Sequence, residues 1–252
     1  MPATAKMMPP GRPIISSAPL TNRAGNQALL RLMTWLSPAF PVGAYSYSHG
    51  LEWAVEARLV HGRASLADWI EAVLAQGAGR IDAVFLAKAL RAAKMGDAAA
   101  LDPIAEQAAA WRSTAEFALE SAAEGAAFLH AVRAAWPHPL LDSLAARLTE
   151  SNCSALAYPV AVGVAAAAGV PEDLAVTAYL HAFASNIVSA GLRLIPLGQT
   201  DGLKVLASVE PVIHAVTQEA LGMTLDEIGS AALMVDWCSV RHETQYTRLF
   251  RS

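Results

Sequence analysis

The sequence predicts an all-α protein, a single-domain bundle of about ten helices joined by short loops. Of its 252 residues, 54% are hydrophobic and 16% are charged, which excludes a disordered chain and allows a large buried core. Alanine, the best helix former, is abundant, and runs of β-branched residues are short. The net charge of -4 gives no electrostatic support to nucleic-acid binding.

The spacing of apolar residues is helical along the chain. One stripe with helical spacing consists of Leu66, Trp69, Ile70, Val73 and Leu74. Ser65 is predicted to cap that helix, and the stripe continues from Ile81 in the next one. Pro211 is expected to kink its helix. The other predicted helices span residues 27–36, 48–58, 102–112, 114–135, 140–150, 159–168, 173–190, 202–221 and 225–237.

Three segments are distinguished by composition. Residues 1–24 are predicted to form a flexible tail, because five prolines interrupt the first 22 residues and no apolar stretch fits a secretory signal. Residues 25–240 form the helical domain, and residues 241–252 form a separate docking segment. Cys153 and Cys238 lie far apart, which indicates a reducing compartment without a disulfide framework.

Two charge-poor stretches, residues 151–171 and 174–192, raise the alternative of a membrane-embedded helical hairpin. The first is mostly alanine and contains Pro159. The second carries several polar residues, among them His181 and Asn186, which are interpreted as hydrogen-bonded core residues. Both stretches are therefore predicted to be central helices of a soluble bundle.

The last twelve residues have a composition typical of protein–protein contacts. They include three arginines, a tyrosine, a leucine and a phenylalanine, and Arg and Tyr dominate binding hot spots. Since the apolar positions continue no long helical stripe, we expect the segment to stay outside the core and to become ordered on a partner. The predicted contact residues are Arg241, His242, Glu243, Tyr246, Arg248, Leu249, Phe250 and Arg251.

The front segment has a similar polar and aromatic character. It could be a capped helix start with packed tyrosines or an exposed patch for a partner, formed by Tyr45, Ser46, Tyr47, Ser48, His49 and Glu52. Glu52 lies near a helix start, where loss of its interaction with the helix dipole costs about 0.3–1 kcal/mol if it is exposed. A helical hydrolase using His49 and Glu52 is an alternative, but no strand-borne nucleophile motif accompanies them.

Motifs for metal or nucleotide binding are incomplete. His242-Glu243 begins an H-E-x-x-H pattern, but Tyr246 replaces the second histidine, so a tight metal site in one chain has no support. A weak metal site with ligands from two subunits at an interface is left as an alternative. The loop 198–202 lacks a Walker lysine, and its Thr200 or Asp201 is predicted to cap the next helix. Arg193 is expected to anchor this loop through a carboxylate or helix-end carbonyls.

Three separated motifs resemble those of the urease accessory protein F (UreF) family. Residues 37–53 are similar to S-P-x-x-P-V-G-G-F-S-Y-S-x-G-L-E-W, residues 193–202 to R-L-x-P-L-G-Q-T-D-G, and residues 241–252 to R-H-E-T-Q-Y-x-R-L-F-R-S. The resemblance spans residues 27–252. Ala44 and Tyr45 stand where the family usually has Gly-Phe, and Leu203 stands where a Gln is common.

The resemblance implies a cytoplasmic, non-catalytic chaperone of urease maturation that forms a homodimer. Members of this family bridge the accessory D/H protein and the accessory GTPase G, and the complex docks on urease apoprotein for GTP-dependent nickel insertion. Nickel and GTP then belong to the complex, and this chain binds no cofactor tightly.

The resemblance also implies roles for the three motifs. Residues 241–252 would dock on the D/H protein, and the front segment would contact the GTPase or urease. The loop implied to face partners comprises Arg193, Gly198, Gln199, Thr200, Asp201 and Gly202.

Overall fold

The computed structural model describes residues 20–150 and 156–252, with side chains from residue 25 onward in these ranges. This part of the chain contains eleven α-helices and no strand, so the all-α prediction is confirmed. The helices are α1 Leu20–Trp35, α2 Leu51–Glu56, α3 Arg63–Gln76, α4 Ala78–Met95, α5 Ala98–Ala110, α6 Ala115–Ala135, α7 Pro139–Glu150, α8 Tyr158–Ala166, α9 Glu172–Leu194, α10 Gln199–Gly222 and α11 Leu233–His242. Short 3₁₀ helices lie at Ala44–Ser46 and Leu225–Glu227.

The core is built around α4 and α8. Every residue of α8 from Pro159 to Ala166 is buried, because a helix that is apolar on all sides must be covered by neighbours. α4 packs against α8 and also against α3, α5, α9 and α10. Most of the other helices therefore pack around this central pair.

Gly163 allows the backbones of α8 and α4 to approach closely. A Cβ atom at this position would lie 2.5 Å from the carbonyl oxygen of Leu86 and 3.1 Å from the Cβ of Ala89. The crossing of the two central helices therefore depends on a residue without a side chain.

Several helix boundaries differ from the sequence expectations. α1 begins at Leu20, inside the tail predicted for residues 1–24; the rest of that tail, residues 1–19, lies outside the described residues, and the domain division stays a prediction. The helix predicted for residues 48–58 is shorter, because His49 (φ 55°) and Gly50 (φ 76°) adopt left-handed conformations just before α2 begins at Leu51. These two residues turn the chain between the front segment and the helix.

The predicted caps of α3 and α10 are also wrong. α3 begins at Arg63, and the Ser65 hydroxyl within its first turn accepts hydrogen bonds from the N–H groups of His61 and Gly62. α10 follows Gly198 without a side-chain cap, so Thr200 and Asp201 lie inside its first turn. α10 continues past Pro211 to Gly222.

Within the described residues, α9 alone is long and apolar enough to cross a membrane, and half of its most apolar window is buried inside the protein. A core helix of a soluble protein has the same properties, so this is weak evidence for a span. α8 has nine residues, whereas a span needs about 20. The hairpin alternative therefore has no second span in the described part of 151–171.

We expect Gly163→Ala to lower the free energy of unfolding by about 1–3 kcal/mol, because the added methyl group forces α8 away from α4. Gly222→Ala is the matched control, since a Cβ atom there meets nothing within 4 Å. Urea denaturation of both variants measures the difference. Equal stability of the two variants would show that the helix crossing tolerates a side chain.

Candidate functional site

A buried carboxylate joins the front segment to the last residues of the chain. Glu52, on α2, accepts hydrogen bonds from the backbone N–H of Leu249 (2.6 Å) and of Phe250 (2.9 Å). Its Oε2 also lies 2.9 Å from Nε2 of His242 on α11. Three groups from the end of the chain thus converge on one side chain near its beginning.

Glu116, on α6, extends this arrangement into a charged network. Nδ1 of His242 lies 2.9 and 3.0 Å from the two carboxylate oxygens of Glu116, and Arg248 donates to Glu116 at 3.2 Å. We refer to Glu52, Glu116, His242 and Arg248 as the Glu52 cluster. Two carboxylates face two cationic side chains, which is the condition under which buried charges are tolerated.

His242 is fully buried between the two carboxylates. Burial lowers the pKa of His242, but the hydrogen bonds to Glu116 and Glu52 and their negative charges outweigh burial, so the pKa is raised above its usual value. Both ring nitrogens face carboxylate oxygens, which only accept hydrogen bonds when ionised. The geometry therefore favours the doubly protonated, cationic imidazole.

The main chain of the last residues pairs with the front segment beside this cluster. The N–H and the hydroxyl of Ser48 both donate to the backbone oxygen of Ser252, at 2.7 and 2.5 Å. Arg251 N–H donates to the Ser46 carbonyl at 2.8 Å. The Ser252 hydroxyl donates to Glu120 of α6 at 2.8 Å. Residues 248–252 are thus held by hydrogen bonds from their own chain.

Arg193 brings the third motif to the same place. Its guanidinium donates to the carbonyls of Ser189 (3.2 Å) and Tyr45 (2.7 Å) and lies 4.2 Å above the ring centroid of Phe250. Arg193 does bond to a carbonyl of the preceding helix, but among the described residues no hydrogen bond joins its side chain to the loop 198–202 that it was expected to anchor. Arg193 holds the front segment and the last residues together.

The front segment is less exposed than an interaction patch would be. Tyr45 is 70% exposed and Ser46 is half-buried, whereas Tyr47, Ser48, His49 and Glu52 are buried. An exposed patch of all six residues is therefore wrong, and the expectation of a minor dipole contact for Glu52 is wrong for the same reason. Glu52 has structural partners that lie almost 200 residues away.

The expectation that residues 241–252 remain outside the core and mobile is wrong for part of the segment. His242, Phe250 and Ser252 are buried. The exposed members of the predicted set are Arg241, Glu243, Tyr246, Arg248, Leu249 and Arg251. The docking role of the exposed side chains stays a prediction, but deletion of the whole segment would remove partners of Glu52 and Glu116.

The loop before α10 lies apart from this assembly. Gly198, Gln199 and Thr200 are exposed, Asp201 is half-buried, and Gly202 is buried. A Cβ atom at Gly202 would contact Leu192 at 2.9 Å, so the loop rests on the end of α9 next to Arg193. In the described part of the chain, no hydrogen bond or ion pair connects residues 198–202 with residues 241–252.

The hydrolase alternative has no geometric basis. His49 stacks on Phe117 at 3.9 Å between ring centroids, Ser48 donates to Ser252, and Glu52 belongs to the network of His242. These side chains do not form the nucleophile–base pair that hydrolysis requires. Across residues 20–150 and 156–252, no group of three or more His, Cys, Asp or Glu side chains is arranged to hold a metal ion.

Sequence reasoning missed the acidic stripe of α6. Glu116, Glu120 and Glu124 follow one another at intervals of four residues and are all buried. The spacing of the three acidic residues could have indicated this stripe, because side chains at i, i+4 and i+8 lie on the same face of a helix.

Exposed apolar side chains lie on α11 and on the segment that follows it. We call this set the C-terminal face; it consists of Leu233, Met234, Trp237, Val240, Tyr246 and Leu249. Arg241 lies 5.0 Å from the ring centroid of Trp53 and 5.8 Å from that of Trp237. Exposed apolar and aromatic side chains accompanied by arginine are typical of protein-binding sites.

We expect Glu52→Ala to lower the free energy of unfolding by about 3 kcal/mol, because two buried N–H groups and the cationic His242 lose their acceptor. Glu56→Ala is the control on the exposed side of α2. Thermal unfolding followed by circular dichroism measures stability, and tryptic cleavage at Arg248 and Arg251 reports release of the segment. Equal melting temperatures and equal cleavage in both variants would contradict a central role for Glu52.

We also expect the stabilising effect of His242 to depend on pH. Since its pKa is raised in the folded protein, the stabilisation is complete below the ordinary histidine pKa of about 6.5 and is lost as the pH rises through the raised value. The stability difference between the wild type and His242→Gln should therefore shrink from pH 6 to alkaline pH, as measured by urea denaturation. A difference that grows with pH would mean that His242 is buried as the neutral form.

Comparisons with known proteins agree with this geometry. The UreF family model matches residues 60–210. Relatives named "Urease accessory protein UreF" include that of Bradyrhizobium sp. (strain BTAi1), which is 52% identical over 242 residues, covering 96% of this chain and 98% of the relative. That of Rhodopseudomonas palustris (strain HaA2) is 54% identical over 241 residues, covering 95% and 100%. That of Granulibacter bethesdensis is 52% identical over 233 residues, covering 92% and 97%. The chain therefore belongs to the UreF family of non-catalytic urease accessory proteins.

Proposed function

We propose that this protein bridges the accessory D/H protein and the accessory GTPase G, and that the complex delivers nickel to urease apoprotein in a GTP-dependent step. Family membership supports the role in urease maturation. The observation that carries the proposal further is the meeting of the front and C-terminal motifs around Glu52, with Arg193 of the middle motif in contact with both. Residues from all three motifs therefore support the backbone on which the proposed docking side chains stand.

The C-terminal face is proposed as the docking surface for the D/H protein. The backbone N–H of Leu249 is held by Glu52, while the side chains of Tyr246 and Leu249 extend into solvent. A rigid backbone lowers the entropy that must be lost on binding. A few aromatic and apolar anchors of this kind carry most of the binding energy of an interface.

Tyr45 and the exposed start of α10 are proposed to contact the GTPase or urease. Tyr45 is positioned by the hydrogen bond from Arg193 to its carbonyl. Gly198, Gln199 and Thr200 are exposed at and just before the start of α10. Exposed residues outside the C-terminal face suit a protein that binds more than one partner.

The proposal assigns no bond chemistry to this chain. Nickel is cargo of the complex and GTP is hydrolysed by the GTPase, so this chain acts as a scaffold that positions its partners. The working form is proposed to be a cytoplasmic homodimer. A dimer would present two copies of each surface to the other components.

Tyr246→Ala tests the docking role. Because Tyr246 is fully exposed, we expect unchanged thermal stability but at least tenfold weaker binding to the D/H protein, since a hot-spot side chain contributes about 2 kcal/mol or more. Co-purification with the tagged D/H protein and urease activity in a complemented deletion strain measure the effect. Met95→Ala, an exposed apolar residue at the end of α4 outside the three motifs, is the control.

The two readouts separate the possible outcomes. Reduced co-purification and reduced urease activity with Tyr246→Ala, but normal values with Met95→Ala, support the proposal. Full co-purification by Tyr246→Ala together with normal activity would contradict docking through the C-terminal face.

A further inference from the structure

A cavity of about 230 Å³ lies between α4, α6, α8, α9 and the front segment. Its walls are largely aromatic: they include Trp35, Phe40, Tyr47, Phe117, Tyr158, Tyr179 and Phe183. Pro38 and His181 form an exposed rim, so the sequence interpretation of His181 as a buried core residue is wrong. The cavity is thus connected to the surface, and its interior is apolar except for a small set of charged groups.

Two of the three carboxylates in the cavity wall are paired within the protein. Asp82, on α4, accepts from Arg112 at 2.6 Å and from the Tyr179 hydroxyl at 2.7 Å. Glu120 accepts from the Ser252 hydroxyl at 2.8 Å. Asp82 offsets the charge of Arg112, although Nη2 of Arg112 and Nε1 of Trp35 find no acceptor among the described residues.

Glu124 differs from these two carboxylates. Among the described residues no side chain or backbone group donates a hydrogen bond to it, although it is buried. Burial raises the pKa of Glu124 well above its usual value; the charges of Glu120 and Asp82 raise it further, and Arg112 lowers it. In the chain by itself the carboxyl therefore keeps its proton up to a higher pH than an exposed glutamic acid does.

His49 provides an independent indication of a ligand. It is only 5% exposed and lines the cavity, yet neither ring nitrogen has a hydrogen-bond partner. Nδ1 lies 3.5 Å from Glu120 Oε2, which is too long for a normal hydrogen bond. Buried polar atoms in native proteins are nearly always hydrogen-bonded. A polar group from outside the chain is therefore expected beside the imidazole in the cavity.

We propose that this cavity binds an organic cation, a primary ammonium or a guanidinium group, with Glu124 as its counter-ion. The aromatic walls suit such a cation, because ring faces attract a positive charge that is shielded from water. Its N–H groups supply the donors that Glu124 lacks, and a neutral imidazole at His49 can accept one of them. The excess of carboxylates over unpaired cations disfavours an anion.

A hard metal ion fits the cavity less well than an organic cation. Such an ion needs several oxygen or nitrogen ligands at about 2.0–2.6 Å. The described residues contain no group of three or more metal-binding side chains at suitable spacing. Aromatic walls would contribute nothing to its coordination.

Binding is expected to release a proton from Glu124, because the carboxyl must ionise to pair with the cation. The other titratable and charged groups that line the cavity are Tyr47, His49, Asp82, Arg112, Glu120, Tyr158, Tyr179 and, at the rim, His181. Burial also raises the pKa of Tyr158, Tyr179 and Tyr47, so these hydroxyls stay neutral. The affinity for the cation should therefore rise with pH, up to the pH at which Glu124 is already ionised in the unliganded protein.

The test uses the full chain with n-butylammonium and methylguanidinium as probes and 1-butanol as the uncharged analogue of the first. Isothermal titration in two buffers of different ionisation enthalpy measures affinity and proton release. We expect saturable binding of the cations, much weaker binding of 1-butanol, and tighter binding at pH 8 than at pH 6. Glu124→Gln should weaken binding at least tenfold, whereas Glu106→Gln, at an exposed position on α5, should leave it unchanged.

Competition identifies the source of the cation. If n-butylammonium weakens co-purification of the wild-type chain with a urease maturation partner, the occupant of the cavity is a Lys or Arg side chain of that partner. If n-butylammonium binds to the chain without weakening co-purification, the occupant is a free amine or guanidine. No saturable binding of either probe, or equal affinities for wild type and Glu124→Gln, would overturn the proposal and leave the cavity to solvent. Thermal unfolding confirms that both variants are folded, so these outcomes are independent of the docking role of Tyr246.

Discussion

The arrangement of the three motifs depends on one buried carboxylate. Glu52 accepts two backbone hydrogen bonds from the end of the chain and faces the cationic His242. A buried carboxylate is stable only when its charge and its lone pairs are matched. Since α2 is just six residues long, its position is determined by these partners as much as by its own helical hydrogen bonds. The fixed path of residues 242–252 follows from this match.

The acidic stripe of α6 connects this cluster with the aromatic cavity. Glu116 pairs with His242 and Arg248, Glu120 pairs with Ser252, and Glu124 has no donor from the described residues. The three residues face different surroundings although they share one helix face, and the number of partners decreases along it. Each turn of α6 therefore has a different electrostatic role, from structural pairing at Glu116 to an ionisable group at Glu124.

Burial of the last residues and their proposed binding role are compatible. Phe250 and His242 fix the backbone within the protein, while Tyr246 and Leu249 are left in solvent. Alternation of buried and exposed side chains lets a short irregular segment contribute to both the core and a surface. A partner that binds such a segment meets a preformed surface and loses less conformational entropy than it would with a mobile peptide.

The sequence by itself determined the helical class, the main apolar stripes and the three motifs, because these are local properties of spacing and composition. It also predicted an anchoring role for Arg193. Only the tertiary structure decided which motif residues are buried. Glu52 and His242 are separated by 190 residues, and no local pattern indicates that their side chains meet. The functions of Glu116, Glu120 and Glu124 likewise depend on partners from other segments, since burial and pKa are set by the groups that surround a side chain in space.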